Sequence, residues 1–182
     1  RQGMVEGMVS QAFQDYELRI TNYGNREKII ILEHESYHQG VIGLIAGKLV
    51  ERYYLPAIVI ARGAETSKAS ARSISGFNII EAIRNSNKFL LNAGGHPMAA
   101  GFSINTELIT NFKLRITDYA KEKITEEILE RSLKVDMELS LKQADMELLV
   151  EISKLSPYGI GNPEPVFAST AEIGSIRTMG AE

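Results

Sequence analysis

The sequence predicts an α/β fold in which a mixed, partly parallel sheet is flanked by helices. Runs of aliphatic, largely β-branched residues indicate two buried strands, at 28–32 and 57–61. Between them, residues 41–54 place their apolar positions on one side of a helix. A strand, a helix and a strand in this order predict a parallel pair with a right-handed crossover. A long amphipathic helix over about residues 105–131 is expected to pack on the sheet and close the domain.

The other elements of this domain follow from local patterns along the chain. Residues 2–17 are expected to be helical, and residues 62–70 to form a polar loop. A short strand is expected at residues 71–74, and Asn78 is expected to cap the helix that follows it. A turn that carries two glycines and a histidine then leads into a strand at residues 101–104.

The pattern changes after the long helix, which indicates a second region. Residues 135–141 alternate like a strand, and residues 143–155 are expected to form a short helix. The proline- and glycine-rich stretch 156–167 then marks a boundary. Only some fifteen residues follow it, so a second domain is expected to begin here and to be cut off. Because the chain starts at Arg1 without Met, we expect an excised fragment.

The composition is that of an ordinary soluble globular protein, and it excludes several kinds of site. The chain has 182 residues, enough to bury a core, and no cysteine, which excludes disulfides and thiolate metal sites. No apolar run approaches the roughly 18 residues of a membrane span. A net charge of −3 argues against a wholly basic nucleic-acid binder, although residues 28–104 carry eight Lys/Arg against five Asp/Glu.

The segment most suggestive of a binding site reads Asn92-Ala-Gly-Gly-His-Pro-Met-Ala-Ala-Gly-Phe102. Gly94 and Gly95 remove side chains where the backbone turns tightly or lets another group approach closely. An exposed ring at His96 beside bare backbone N–H groups suits an anion, because such groups form concave nests for phosphate. The alternative is a glycine-rich turn between two core strands.

Two further segments carry groups suited to phosphate. His38 lies between the first expected strand and its helix, where open α/β sheets bind ligands at a helix N-terminus. Arg72 can bind phosphate in bidentate fashion, and the hydroxyls of Ser70 and Ser73 can add hydrogen bonds. The alternatives are an ordinary glycine-containing helix start and a solvated serine-rich loop.

A metal centre is not expected in this chain. The residues His34-Glu-Ser-Tyr-His38 satisfy the H-E-x-x-H pattern of zinc proteases, which binds zinc only on a helix. Here the pattern follows a strand and precedes Gly40, so we expect it to span a strand end and a loop. The aspartates are scattered over expected helices and a strand: Asp15, Asp118, Asp136 and Asp145. A hydrolytic two-metal site needs clustered carboxylates and histidines instead.

Taken together, these segments resemble the DHHA1 domain of the RecJ family, the bacterial single-stranded-DNA-specific exonucleases. The similar segments are residues 38–43, 49–60, 70–77 and 93–103. Residues 155–167 resemble the family's junction into its OB-fold domain, so the resemblance extends over about residues 24–168.

The resemblance implies three parts. Residues 1–23 would be a linker helix from a DHH domain missing from the chain, and residues 24–132 the DHHA1 domain. Residues 133–182 would be a connector and the truncated start of the OB-fold domain. The expected fold is therefore an α/β DHHA1-type domain followed by the start of an OB fold.

The resemblance also implies a function, namely the substrate-binding part of a 5′-to-3′ single-stranded-DNA exonuclease used in repair and recombination. It implies a cytoplasmic protein with no membrane contact, and single-strand-binding or recombination proteins as candidate partners. Mn²⁺ or Mg²⁺ would be held by the missing DHH domain, so the fragment is expected to bind no cofactor and to be inactive alone. The alternatives are a DHH-family phosphodiesterase for short oligonucleotides or cyclic dinucleotides, and a non-catalytic RecJ-like scaffold.

Residue by residue, the resemblance implies a set of substrate contacts. The expected substrate-binding residues are His38, Ser70, Arg72, Ser73, Gly94, Gly95 and His96. Residues 94–96 match the family's glycine–histidine substrate motif, and Ser70 and Arg72 match its terminal-phosphate contact. His38 matches the histidine of the family's W-H-x-G segment, in which Tyr37 replaces the usual tryptophan.

Overall fold

The computed structural model describes residues 2–23, 27–159 and 161–177. The chain divides into two compact units, Arg1–Arg131 and Ser132–Glu182. In the described part of the chain, no helix is both long enough and apolar enough to cross a membrane.

The first unit is built on a mixed sheet of five strands with helices on both faces. The strands are β1 (Ile30–His34), β2 (Ala57–Ala61), β3 (Thr66–Arg72), β4 (Leu90–His96) and β5 (Ala99–Asn105). The helices are α1 (Gln2–Tyr23), α2 (Ile42–Tyr53), α3 (Ile79–Arg84), α4 (Ile109–Lys123) and α5 (Glu126–Leu129). The strand order is β1-β2-β3-β5-β4, in which β1 and β2 are parallel and the other neighbours antiparallel. The predicted α/β class with a partly parallel sheet is therefore confirmed.

The core lies on both faces of this sheet, because successive strand residues point to opposite sides. On β2, Ala57 and Val59 pack with α1 and α2, whereas Ile58 and Ile60 pack with α3 and α4. The apolar stripe predicted for the long helix is buried against the second face, where Phe112 is fully inaccessible to solvent. The predicted cap of α3 is also confirmed, since the Asn78 side chain accepts a hydrogen bond from the Glu81 N–H at 3.3 Å.

Strand β3 is where the sequence-based prediction was wrong. Residues 62–70 were expected to form a loop, with a strand only at 71–74, but β3 occupies the centre of the sheet between β2 and β5. Its inward positions are small residues, such as Ala69 and Ala71, which are not strong strand formers. Pairing with both neighbours fixes this segment as a strand, a tertiary effect that local preference does not capture.

The glycine–histidine segment also differs from its prediction. Gly94, Gly95 and His96 belong to strand β4, and the turn comes afterwards, at Pro97 and Met98. Glycine in the interior of a strand usually marks a close approach of another backbone or a ligand.

The long helix expected at 105–131 is interrupted. Helix α4 ends at Lys123, Ile124 is extended (φ −91°, ψ 107°), and the side chain of Thr125 accepts a hydrogen bond from the Ile128 N–H to begin α5. A threonine hydroxyl offers the backbone an alternative to the helical hydrogen bond, which explains the break.

The second unit contains helix α6 (Met146–Ser153) and two short parallel strands, β6 (Met137–Glu138) and β7 (Phe167–Ala168). The helix predicted at 143–155 is confirmed in a shorter form, and Asp145 caps it by accepting a hydrogen bond from the Leu148 N–H at 2.9 Å. The strand predicted at 135–141 is reduced to the two residues of β6.

Candidate nucleic-acid interface

One face of the sheet brings together residues from β3, β5 and β4. Residues directly opposite each other in antiparallel strands point to the same face. The pairings give three rows: Arg72–Ala99–His96, Ser70–Gly101–Gly94 and Lys68–Ser103–Asn92. Successive rows are about 7 Å apart, because each step is two residues along a strand. These nine residues are called the polar face below.

Helix α2 begins beside the polar face. A Cβ added to Gly43, in its first turn, would lie 3.1 Å from Ser70 Oγ and 3.2 Å from Arg72 Nη2. The absence of a side chain at Gly43 therefore lets the helix start approach β3 closely. An open groove of about 620 Å³ lies between the two, and its polar lining comes from Gln39, Gly40, Lys68, Ser70, Asn92 and Ser103.

The polar face has two cations and no carboxylate. The Arg72 guanidinium donates to Ala71 O at 2.9 Å and to Ser70 Oγ at 3.3 Å, and Lys68 Nζ donates to Ser103 Oγ at 2.8 Å. Within the described ranges, neither cation makes an ion pair. The positive partial charge at the start of α2 adds to theirs. This arrangement favours an anion.

A contrasting arrangement occurs at the end of β1, where cations are neutralised. Glu33 accepts hydrogen bonds from both Arg62 and Lys113. Burial by itself raises the pKa of Glu33, but the hydrogen bonds and charges of these two cations outweigh it and lower that pKa below its usual value. Arg62 and Lys113 are therefore occupied by a structural ion pair.

The two candidate histidines reach the site from different elements. His96 is exposed and lies in the row of Arg72. His38 lies four residues before the start of α2, and its Nδ1 accepts a hydrogen bond from the Gly40 N–H at 3.1 Å. The neutral ring of His38 therefore carries its proton on Nε2, which is the donor available to a ligand.

His38 and the glycine–histidine segment were expected to lie at the same edge of the sheet if their strands were neighbours. They are not neighbours, because β1 and β4 form opposite edges of the sheet. Helix α2 makes the connection instead, since it begins after His38 and its first turn contacts Ser70 and Arg72 of β3.

The two adjacent glycines of β4 have different surroundings. Gly95 has φ +144°, and a Cβ there would lie 2.4 Å from Ala99 O and 2.5 Å from Ala100 Cα. Its pairing with Ala100 also turns it away from the polar face. A Cβ at Gly94 would meet no atom within 4 Å. Gly94 therefore leaves the backbone of β4 open on the polar face, and Gly95 serves the pairing of β4 with β5.

Ser73 is another expected site residue that lies off the polar face, as Gly95 and His38 do. Its side chain is 5% exposed, and its hydroxyl donates to Phe77 O at 2.6 Å. Tyr37, which precedes His38 and replaces the family's tryptophan, is also buried, and its hydroxyl donates to an Asp15 carboxylate oxygen at 3.1 Å. Burial, together with the Asp15 charge, raises the pKa of Tyr37 above its usual range.

The H-E-x-x-H pattern does not lie on a helix. His34 ends β1, and its Nδ1 accepts a hydrogen bond from the Ser36 N–H at 3.0 Å, while residues 35–38 form a turn and a loop. The expectation that this pattern spans a strand end and a loop is confirmed. Over residues 2–23, 27–159 and 161–177, no three His, Asp or Glu side chains are grouped as metal ligands.

Five residues of the polar face were not among the sequence-predicted site residues, and three of these five have polar side chains: Lys68, Asn92 and Ser103. A signal for Lys68 was present, because Lys68, Ser70 and Arg72 alternate with Ala69 and Ala71. Period-two alternation indicates a strand with one polar face, and it would have placed these three side chains together.

Two family models match the chain. The model described as the DHHA1 domain matches residues 26–122, and the model described as the RecJ OB domain matches residues 135–182. The first match contains all the residues of the polar face.

Individual proteins are similar over most of the chain. The single-stranded-DNA-specific exonuclease RecJ of Bacillus subtilis is 35% identical over the whole chain, which covers 23% of that protein. A crystal structure of RecJ with Mn²⁺ from Thermus thermophilus is 30% identical in sequence and gives a TM-score of 0.76. The match covers 93% of this chain and 24% of the chain in that crystal structure. The corresponding Mg²⁺ complex is 30% identical and gives a TM-score of 0.74, and the match covers 92% of this chain and 25% of the chain in that structure. The chain thus spans about a quarter of the length of these relatives.

Proposed function

The chain belongs to the DHHA1 domain family, and on that premise we propose that it is the substrate-binding portion of a RecJ-like 5′-to-3′ single-stranded-DNA exonuclease. Its RecJ OB match and its similarity to RecJ proteins support this proposal. We propose the division into a linker helix at 1–23, a DHHA1 domain at 24–132, and a connector with the start of an OB fold at 133–182.

The observation that carries the proposal is the pair of cations on the polar face without a carboxylate partner. Arg72 offers a planar set of donors that matches two phosphate oxygens, and its contacts with Ser70 and Ala71 orient it. His96 lies in the same row, and Gly94 allows a nucleic-acid backbone to approach β4. We propose that Ser70, Arg72, Gly94 and His96 hold phosphates of the strand.

His38 enters this proposal through helix α2. Its Nε2–H is free to donate, and it directly precedes Gln39 and Gly40 of the groove lining. We propose that His38 donates to the bound strand from the α2 side. Gly95 and Ser73 are assigned supporting roles, in strand pairing and in the hydrogen bond to Phe77.

Hydrolysis is proposed to take place outside this chain. The RecJ relatives of known structure contain Mn²⁺ or Mg²⁺, which supports divalent-metal use in the parent protein. The donors of the described residues do not fit such an ion, because no three carboxylates or histidines are grouped. We therefore propose that a DHH domain of the parent holds the metal while this chain positions the strand.

The test is a titration of the chain with 5′-phosphorylated oligo(dT), in which binding is measured by fluorescence anisotropy. Arg72→Ala is expected to lose one charge-assisted contact, about 1.5–3 kcal/mol or roughly tenfold or more in Kd. Arg84→Ala removes the same charge from an exposed position of α3, which packs on the other face of the sheet, and this variant is expected to bind normally. Equal affinity of Arg72→Ala and wild type, with both folded by circular dichroism, would contradict the proposal.

The same assay separates the alternative substrates. A higher affinity for a cyclic dinucleotide than for 5′-phosphorylated oligo(dT) would favour the phosphodiesterase hypothesis. The RecJ OB match after the DHHA1 domain supports the exonuclease instead. A non-catalytic scaffold is distinguished by the parent gene, which would then lack the metal-binding aspartates of a DHH domain.

A further inference from the structure

We propose that the polar face holds two successive phosphates of one strand, the second of them at Lys68, Ser103 and Asn92. This inference deepens the proposed function and rests on it. The second subsite is the row Lys68–Ser103–Asn92, and it lies at the opposite end of the polar face from Arg72 and His96.

The spacing of the two cations favours two phosphates over one. Lys68 and Arg72 are four residues apart on β3, so their Cα atoms are about 13 Å apart. Arg72 leans one row inward, to Ser70 Oγ at 3.3 Å, whereas Lys68 Nζ stays in its own row, at Ser103 Oγ. The two charged groups thus lie one to two rows apart, about 7–13 Å, and over most of this range they are too far apart to share one phosphate group.

The second subsite is held in place by hydrogen bonding. Ser103 is 3% exposed and its hydroxyl accepts from Lys68 Nζ at 2.8 Å. An ammonium group has three donors, so Lys68 retains two for a ligand. Asn92 lies on the far side of Ser103 in the same row and is exposed, which adds an amide donor. All three residues line the groove beside α2.

The row between the two subsites is free of large side chains. It consists of Ser70, Gly101 and Gly94, and a Cβ at Gly94 would meet no atom within 4 Å. A sugar–phosphate backbone can therefore run along the strands from the Arg72 row to the Lys68 row in contact with the sheet. The ligand class that fits is a single strand with at least two phosphates, and a mononucleotide fills only one subsite.

The test compares two ligands, a deoxynucleoside 5′-monophosphate and a 5′-phosphorylated dinucleotide, by isothermal titration calorimetry on the whole chain. Lys68→Met is expected to leave the affinity for the monophosphate unchanged and to weaken dinucleotide binding about three- to tenfold. The slope of log K against log salt for the dinucleotide is expected to become less steep by about 0.7, the value for one phosphate contact on a single strand.

Control variants separate a lost charge from a damaged fold. Lys68→Arg keeps the charge and is expected to bind the dinucleotide like wild type. Lys121→Met removes an exposed lysine from α4, on the other face of the sheet, and is expected to leave both affinities unchanged. Should Lys68→Met melt earlier by circular dichroism, Asn92→Ala at an exposed position is the substitute, with the same selective loss expected.

Every outcome decides between the two proposals. The second subsite is overturned if Lys68→Met weakens binding of both ligands equally. It is also overturned if neither Lys68→Met nor its substitute Asn92→Ala weakens binding of the dinucleotide. If Arg72→Ala weakens binding of the monophosphate while Lys68→Met leaves dinucleotide binding unchanged, only the proposal of the second subsite fails. If Arg72→Ala leaves both ligands unaffected, the proposed function fails with it.

Discussion

The same substitution is expected to have opposite effects at the two neighbouring glycines of β4. At Gly95, alanine must adopt φ +144° and place its Cβ 2.4 Å from Ala99 O and 2.5 Å from Ala100 Cα. Backbone strain of this kind costs about 1–3 kcal/mol, and an inserted methyl group in a packed position costs about as much again. We expect Gly95→Ala to lower the free energy of unfolding by about 2–6 kcal/mol.

At Gly94 the methyl group meets no protein atom within 4 Å. Alanine restricts the unfolded chain more than glycine does, so Gly94→Ala is expected to leave stability unchanged or to raise it by about 0.4–1 kcal/mol. The added methyl group projects onto the polar face, where the strand is proposed to lie. It is expected to weaken binding of 5′-phosphorylated oligo(dT) by about 1–3 kcal/mol, the cost of overpacking a close contact.

The assay combines urea denaturation with an anisotropy titration on the two variants. The expected result is a stable Gly94→Ala that binds weakly and a Gly95→Ala that has lost stability. A Gly94→Ala variant with both wild-type stability and wild-type affinity would refute the close approach of a ligand to β4. A Gly95→Ala variant as stable as wild type would refute the argument from its backbone conformation.

Three further predictions concern stability and catalysis. The pKa of Glu33 is lowered in the folded state, so its ion pair with Arg62 and Lys113 stabilises the fold above the unfolded pKa and is lost as pH falls through the folded pKa. Glu33→Gln is therefore expected to flatten the loss of stability measured as pH falls below the ordinary pKa of a glutamate, and an unchanged pH profile would contradict this. Ser73→Ala removes the buried hydroxyl that donates to Phe77 O. It is expected to lower the free energy of unfolding by about 1–3 kcal/mol without changing the affinity for oligo(dT). A loss of affinity without a loss of stability would place Ser73 in the binding site instead. Added Mn²⁺ is expected to produce no degradation of single-stranded DNA by the purified chain, and metal-dependent degradation would overturn the proposal that hydrolysis belongs to another domain.

The parts of the fold that the sequence predicts are those with strong local signals. The aliphatic runs of β1 and β2 flank an amphipathic α2, and this combination predicts a parallel pair from adjacent segments alone. Strand β3 was missed because Ala69 and Ala71 carry little strand preference, and its place is set by pairing with β2 and β5. The resemblance to the DHHA1 domain of the RecJ family is confirmed by the family models.

The candidate site depends on strand register, which is a property of distant pairings. Arg72 and His96 share a row only because each pairs with Ala99, and no local pattern fixes that register. The different surroundings of Gly94 and Gly95 have the same origin, since they follow from which face of β5 each residue meets. The alternation that includes Lys68 was a further local signal of the polar face, beside the glycine–histidine segment and Arg72.

The most direct test of the polar face is a nuclear magnetic resonance titration of the ¹⁵N-labelled chain with 5′-phosphorylated oligo(dT). We expect the largest amide shifts at Gly43, Ser70, Gly94 and His96, and further shifts in the Lys68 row, because this ligand carries more than one phosphate. Amides of α4, which packs on the other face of the sheet, are expected to stay unchanged. Shifts concentrated on α4, or none on β3 and β4 at saturating ligand, would contradict the claim that this face holds the strand.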